Sequence, residues 1–186
     1  MGTPRWTPEA GTRALVERLG ATAARTLLGH LAAGRVPTAG MVASPYAEVI
    51  GCIGRCNAAT FLHDGTAEHL AYWPRSWAAR SLGLLGDEDA APSLVDAFAD
   101  PHWRVRMAAA RALGQLAADG YDDELANLVN DPHPRVRAAA AMALGRTGSE
   151  FALPPLRDAL EDDADQVRRA ADRALAHVER RLRRYR

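Results

Sequence analysis

The sequence predicts an all-helical protein, an α-solenoid of stacked helix pairs. Leu82, Leu113, Leu144 and Leu175 recur at intervals of 31, the first three each followed by Gly and the last by Ala. Apolar residues inside each interval fall three and four apart, the spacing of one helix face. The composition is 48% hydrophobic but only 6% aromatic. Ala and Leu dominate, which suits closely packed helices better than a sheet. A fixed period of this size marks an array in which each unit buries its apolar face against its neighbours.

Taken in order, residues 1–43 do not follow the period. Thr7-Pro8-Glu9 begins a helix running to Leu19, residues 21–34 form another, and residues 34–40 form a turn segment. This stretch is expected to cap the apolar end of the stack, as terminal repeats must. Residues 44–186 form the array, and cap and array together make one compact unit. A half-unit, IGCIG at residues 50–54, matches LGLLG at residues 82–86 with a one-residue offset. The full units follow as helix pairs. First helices are expected at residues 90–99, 122–130 and 151–161, with Pro92, Pro154 and Pro155 in first turns, where a missing N–H costs little. Second helices are expected at residues 103–117, 134–145 and 164–185, the central stripe being Val105, Ala108, Ala109, Ala112, Leu113 and Leu116. The Gly after each stripe is expected to end its helix, and Ala176 to let the last one continue. Two polar columns share the period: Arg75, Arg106, Arg137 and Arg168, and Asp100, Asp131 and Asp162.

The segments DPHWRVRMAAARALG (residues 100–114) and DPHPRVRAAAAMALG (residues 131–145) resemble the HEAT-repeat family, in particular the bacterial HEAT-like repeats of the phycobilin-lyase type. The resemblance covers about residues 44–186. It implies a right-handed solenoid in which the Arg column bonds Asp residues of the interhelix turns and serves stability. It also implies that the second helices line the concave face. Projected onto that face, Trp73, Arg104, Arg135 and Gln166 form one exposed column, and Arg80, Arg111, Met142 and Arg173 another. The first helices and their loops carry acids, including Asp87, Glu88, Asp89, Asp119, Asp122, Asp123 and Glu124.

Charge and motif content narrow the function. The chain has 23 basic and 23 acidic residues, so no global attraction to nucleic acid or anionic membrane arises. Every basic residue is Arg, in keeping with an Ala- and Arg-rich composition. The N-terminal residues lack the apolar core of a signal peptide, and no stretch approaches a membrane span, so a cytoplasmic location is expected. His63, Asp64, Glu68 and His69, in residues 61–73 where the repeat is least regular, are candidate metal ligands or acid–base groups. Their spacing matches no recognised ligand set, and neither a metal nor another cofactor is expected. Cys52 and Cys56 lie one helical turn apart and are read as core thiols. His102 and His133 recur at one turn position and belong to the Asp-Pro-His turn.

No catalytic constellation is legible. The leading expectation is a non-catalytic scaffold or adaptor that holds a protein or peptide with an acidic segment. Its contact residues would be Trp73, Arg80, Trp103, Arg104, Arg111, Arg135, Met142 and Arg173. The alternatives are an enzyme resembling HEAT-like DNA glycosylases, which use concave Trp and Arg with a carboxylate, and a cofactor lyase or chaperone subunit. Neutral overall charge argues against nucleic acid.

Overall fold

The computed structural model describes residues 7–35, 45–54, 72–147 and 149–184. Among them every regular element is helical. Helix α1 (Pro8–Leu19) opens with the Thr7 hydroxyl accepting the Ala10 N–H at 3.2 Å and with Pro8 in its first turn. Helices α2 (Ala21–Ala32) and α3 (Pro45–Gly54) follow. The turn expected at residues 34–40 lies mostly outside the described residues. The array then runs α4 (Tyr72–Leu85), α5 (Ala91–Asp96), α6 (Trp103–Leu116), α7 (Asp122–Leu128), α8 (Pro134–Thr147), α9 (Leu153–Asp158) and α10 (Asp165–Arg183). In α10 Asp165 lies in the first turn and Arg180, Arg181 and Arg183 in the last, each sign at the helix end whose dipole favours it.

The first helices are shorter than the periodicity suggests. Helix α5 is flanked by 3₁₀ turns at Glu88–Ala90 and Ala97–Ala99, and α9 by Glu150–Ala152 and Ala159–Glu161. Both exits lead into an extended Asp, Asp100 at φ −62°, ψ 135° before Pro101 and Asp162 at φ −59°, ψ 143° before Asp163. Pro101 favours that geometry at Asp100, but the turn forms without a proline at Asp162.

Second helices α4, α6, α8 and α10 pack side by side in chain order, and each first helix packs on the second helix of its own unit. Leu82, Leu94, Val105, Leu125, Val136, Leu144 and Leu156 are wholly buried between these layers. The N-terminal helices complete the stack: α2 lies against α4 and α5, and α1 against α3 and α4. Arg25 pairs with Asp87 and Asp89 at 2.6 Å each, Arg35 pairs with Asp96, and Thr12 Oγ1 is 3.1 Å from Ser81 Oγ in a buried contact.

The repeating Gly residues do not end their helices. Gly83, Gly114 and Gly145 lie inside α4, α6 and α8, which run on to Leu85, Leu116 and Thr147. Their role is close approach between second helices. A Cβ on Gly114 would sit 2.7 Å from Ala143 Cα, on Gly83 2.8 Å from Ala112 Cα, and on Gly145 2.7 Å from Ala174 Cβ. Two of these contacts are with main-chain atoms, which cannot swing away. Ala176, at the same place in α10, is exposed and tolerates its methyl. What terminates α6 is Ala117, held left-handed at φ 50°.

The Arg column ties each unit to the next. Arg75, Arg106 and Arg137 each grip the Asp 25 residues later, with Nε to Oδ2 at 2.6, 2.6 and 2.7 Å and Nη2 to Oδ1 at 3.1, 2.9 and 2.8 Å. The Asp Oδ1 also accepts the N–H two residues on, from His102, His133 and Ala164, at 2.8 Å each. Arg106 Nη1 meanwhile donates to the carbonyls of Asp100 and Pro101 at 2.9 and 3.1 Å, and Arg137 and Arg168 repeat the arrangement. Each guanidinium thus closes its own turn and clamps the following one. Burial pushes the Asp131 carboxyl up, but the Arg106 and His133 hydrogen bonds outweigh it and hold the group below its ordinary range. The Arg137 hydrogen bonds, opposed by burial, bring Asp162 down to about 2.

Two outcomes follow, both measured by denaturant unfolding. Asp131→Ala strands the buried Arg106 charge and lowers stability by about 3 kcal/mol. Gly114→Ala improves helix propensity yet lowers stability by about 1–3 kcal/mol, because the added methyl meets the Ala143 backbone. An unchanged midpoint in either variant would show that the contact contributes nothing.

Candidate functional site

Two clusters of side chains stand apart from the repeating core. The first runs along the starts of the second helices. The His102 ring stacks on Tyr72 at a centroid distance of 3.5 Å and an interplanar angle of 1°. The Trp103 ring stacks on His133 at 4.0 Å and 6°. His102 and Trp103 are 6.0 Å apart, Tyr72 is 4.9 Å from Trp73, and Trp73 is 5.7 Å from Trp77. The Arg104 guanidinium lies 4.4 Å from the Trp103 centroid and 5.4 Å from that of Tyr72, while Arg135 is 5.3 Å from Trp103. Cation–π attraction of this kind strengthens as water is excluded.

Both His residues of this seam cap helices through a ring nitrogen. His102 Nδ1 accepts the Arg104 N–H and His133 Nδ1 the Arg135 N–H, each at 3.2 Å. A proton on Nδ1 would remove the acceptor. Desolvation first, and then the Arg104 charge, push His102 below its ordinary value; desolvation and Arg135 do the same for His133. Asp100 and Asp131 oppose these shifts without reversing them.

The second cluster is a groove of about 500 Å³ across α6, α8 and α10. Its floor is Ala138, Ala139, Ala143 and Ala170, with Met142 rising from it. The small side chains that let the second helices approach also leave this space open. Four arginines, Arg111, Arg146, Arg169 and Arg173, stand around it with one acid, Asp165. Asp165 is engaged by Arg169 at 2.7 Å and by Arg168 at 3.4 Å. Among the described residues Arg111, Arg146 and Arg173 have no ion-pair partner, and all three are exposed. The groove therefore carries uncompensated positive charge although the chain as a whole is neutral.

The residues expected to contact a partner divide between these places. Trp73, Trp103, Arg104 and Arg135 belong to the aromatic seam, and Arg111, Met142 and Arg173 to the groove. Arg80 lies elsewhere, exposed on α4 beside Glu9 of α1. The carboxyl of Glu9 is lowered by a backbone hydrogen bond and by the Thr7 hydroxyl, with a smaller contribution from Arg80. Cys52 is half-buried on α3. The candidate ligands His63, Asp64, Glu68 and His69 lie outside the described residues, as does Cys56. Among the described residues no cluster of His, Cys, Asp and Glu could hold a metal ion. No helix among them is long and apolar enough to cross a membrane.

Arg146, Arg169 and Asp165 are missing from the sequence-level list of contact residues. Arg146 follows Met142 by four and Arg169 precedes Arg173 by four, so helical periodicity could have found both. Asp165 opens α10 next to Gln166, which the projected column contains and which also lines the groove. The stacking of Tyr72 on His102 repeats, one unit earlier, that of Trp103 on His133, each pair 30 residues apart, so an aromatic residue followed at that spacing by His was the signal in the sequence.

Residues 59–126 and 121–176 match the family pattern of HEAT repeats. The chain belongs to the HEAT-repeat family. Among solved structures, the complex of CpcE and CpcF of phycocyanin lyase from Nostoc sp. PCC7120 is similar to this HEAT protein, with a TM-score of 0.58 and 26% identity over 97% of this chain and 68% of that one. An engineered protein is also similar, with a TM-score of 0.46 and 22% identity over 90% of this chain and 78% of the other. No curated protein matches the chain. Several groove and seam residues, among them His133, Ala139, Met142 and Ala143, fall within the matched residues.

The seam carries a pH dependence with a defined sign. Because the folded-state values of His102 and His133 lie below the ordinary 6.5, their stabilising contribution is complete above about pH 6.5 and declines as pH falls through the lowered values. Unfolding midpoints at pH 7.5 should exceed those at pH 5.5, and His102→Asn/His133→Asn, which keeps a capping acceptor, should narrow the gap. An equal gap in the variant would place the titration elsewhere.

Proposed function

We propose that this HEAT protein is a non-catalytic scaffold that holds an acidic segment of a protein partner in the groove across α6, α8 and α10. The observation that carries the reading is the set of unpaired guanidinium groups, Arg111, Arg146 and Arg173, around an apolar floor. Guanidinium groups match carboxylates in bidentate geometry. The floor of Ala with Met142 gives an apolar segment a place to lie and to exclude water from those pairs, and Met adapts readily to irregular partners. Complementary charge of this kind governs orientation and association rate, so binding should be sensitive to salt.

The likeness to a structure that is itself a two-subunit complex supports a protein partner, and favours a narrower second reading in which the chain is one subunit of a lyase or chaperone assembly. The glycosylase-like alternative draws less support. Trp73 and Trp103, the aromatic half of such a site, are engaged with Trp77, His133 and Arg104 within the chain.

Affinity capture from lysate of the source cells tests the proposal. Wild type should retain a protein partner that Arg111→Glu/Arg173→Glu loses at least about tenfold, as expected when like charges replace complementary ones. Recovery of nucleic acid or a small ligand without any protein would overturn it.

A further inference from the structure

Two large apolar side chains are exposed among the described residues, Met142 at 38% and Phe151 at 73%. They stand in opposite electrostatic surroundings. Met142 rises in the Arg-rimmed groove. Phe151 projects from the turn between α8 and α9, beside Asp119, Asp122 and Asp123 across a shallow depression and next to Glu150 in sequence. The repeat does not require an aromatic there, since the positions 31 and 62 residues earlier hold Gly120 and Asp89. Core packing does not explain it either. An exposed aromatic ringed by charge has the form of an interface anchor.

We infer that Phe151 and its acidic rim dock into the Arg-rimmed groove of a second copy of the chain. This deepens the proposed function by naming the acidic segment, and rests on that groove being the binding site. The carboxylates around Phe151 complement Arg111, Arg146 and Arg173, and the phenyl ring finds the Ala floor and Met142. One copy cannot satisfy both surfaces itself. Met142 sits on α8, and Phe151 follows shortly after the same helix. The end of that helix is pinned, with the Thr147 hydroxyl on Asp122 at 2.8 Å and Arg181 donating to the Thr147 carbonyl at 3.1 Å. Surfaces that differ between the two partners make a head-to-tail contact, which extends or closes into a ring instead of stopping at a symmetric pair. With formal net charge zero, no overall repulsion opposes association of identical chains.

Sedimentation velocity on the purified chain, from about 5 to 500 µM in about 50 mM NaCl, tests this with two variants checked for native helix content: Phe151→Asp, which keeps the groove, and Arg111→Glu/Arg173→Glu, which keeps the anchor. Wild type should associate with a Kd on the order of 10–100 µM, and about 500 mM NaCl should weaken that at least about tenfold. Each variant alone should stay monomeric. An equimolar mixture should form a heterodimer and go no further, because only one competent pair of surfaces remains. Wild type that is monomeric throughout, variants that still associate alone, or a mixture that stays monomeric would each overturn the inference. A monomeric wild type whose captured partner is nonetheless lost on Arg111→Glu/Arg173→Glu would remove self-docking and leave the proposed function standing.

Discussion

A guanidinium that grips two turns at once is the constraint on which the rest of this array depends. Each of Arg106 and Arg137 satisfies the carbonyls of its own interhelix turn and, in the same plane, the carboxylate of the next. The side chains of Arg106 and Arg137 are 14% exposed, and those of Asp131 and Asp162 only 5% and 11%. Removing either partner would leave a charge largely cut off from water. The clamp therefore sets the spacing of successive units as well as their stability. Because the same Asp also receives the N–H that begins the next second helix, register and helix start are decided by one carboxylate. Arg168 clamps its own turn in the same way, but its second donor reaches only Asp165 at 3.4 Å and its side chain is more exposed.

Close approach of the second helices is the other half of the design, and it links stability to function. Gly83, Gly114 and Gly145 let neighbouring backbones come within contact of one another. The Ala residues facing them keep side chains short across the same surface. A face built from methyl groups has little volume of its own, so the long side chains at its margin stand over open space. The groove between Arg111, Arg146 and Arg173 is thus a consequence of how the helices pack. Filling it with larger residues would weaken the array that presents it.

The aromatic seam at the helix starts shows the same economy. His102 and His133 cap helices α6 and α8 through Nδ1 and use their ring faces to stack on Tyr72 and Trp103. Arg104 and Arg135 then lie against those rings. Both Arg residues keep their charge there, since their partners are ring faces and not carboxylates.

The sequence by itself determined the architecture. Leu and Val at a period of 31, Arg and Asp at the same period, and the Asp-Pro-His turns are local or strictly periodic features, and a solenoid is assembled from interactions of that kind. Arg111, Met142 and Arg173 were legible as one column for the same reason. Only the tertiary structure decided what depends on distance between helices. It showed the Gly residues to be contact points and not helix ends, since their neighbours lie 29 residues away in the next unit. It added Arg146, Arg169 and Asp165 to the groove and placed Arg80 beside Glu9 of α1. It also left Phe151 outside the core, where its apolar character alone would have put it inside. Periodicity reports which residues face the same way; how near two faces come, and which charges are already paired across them, is settled by packing alone.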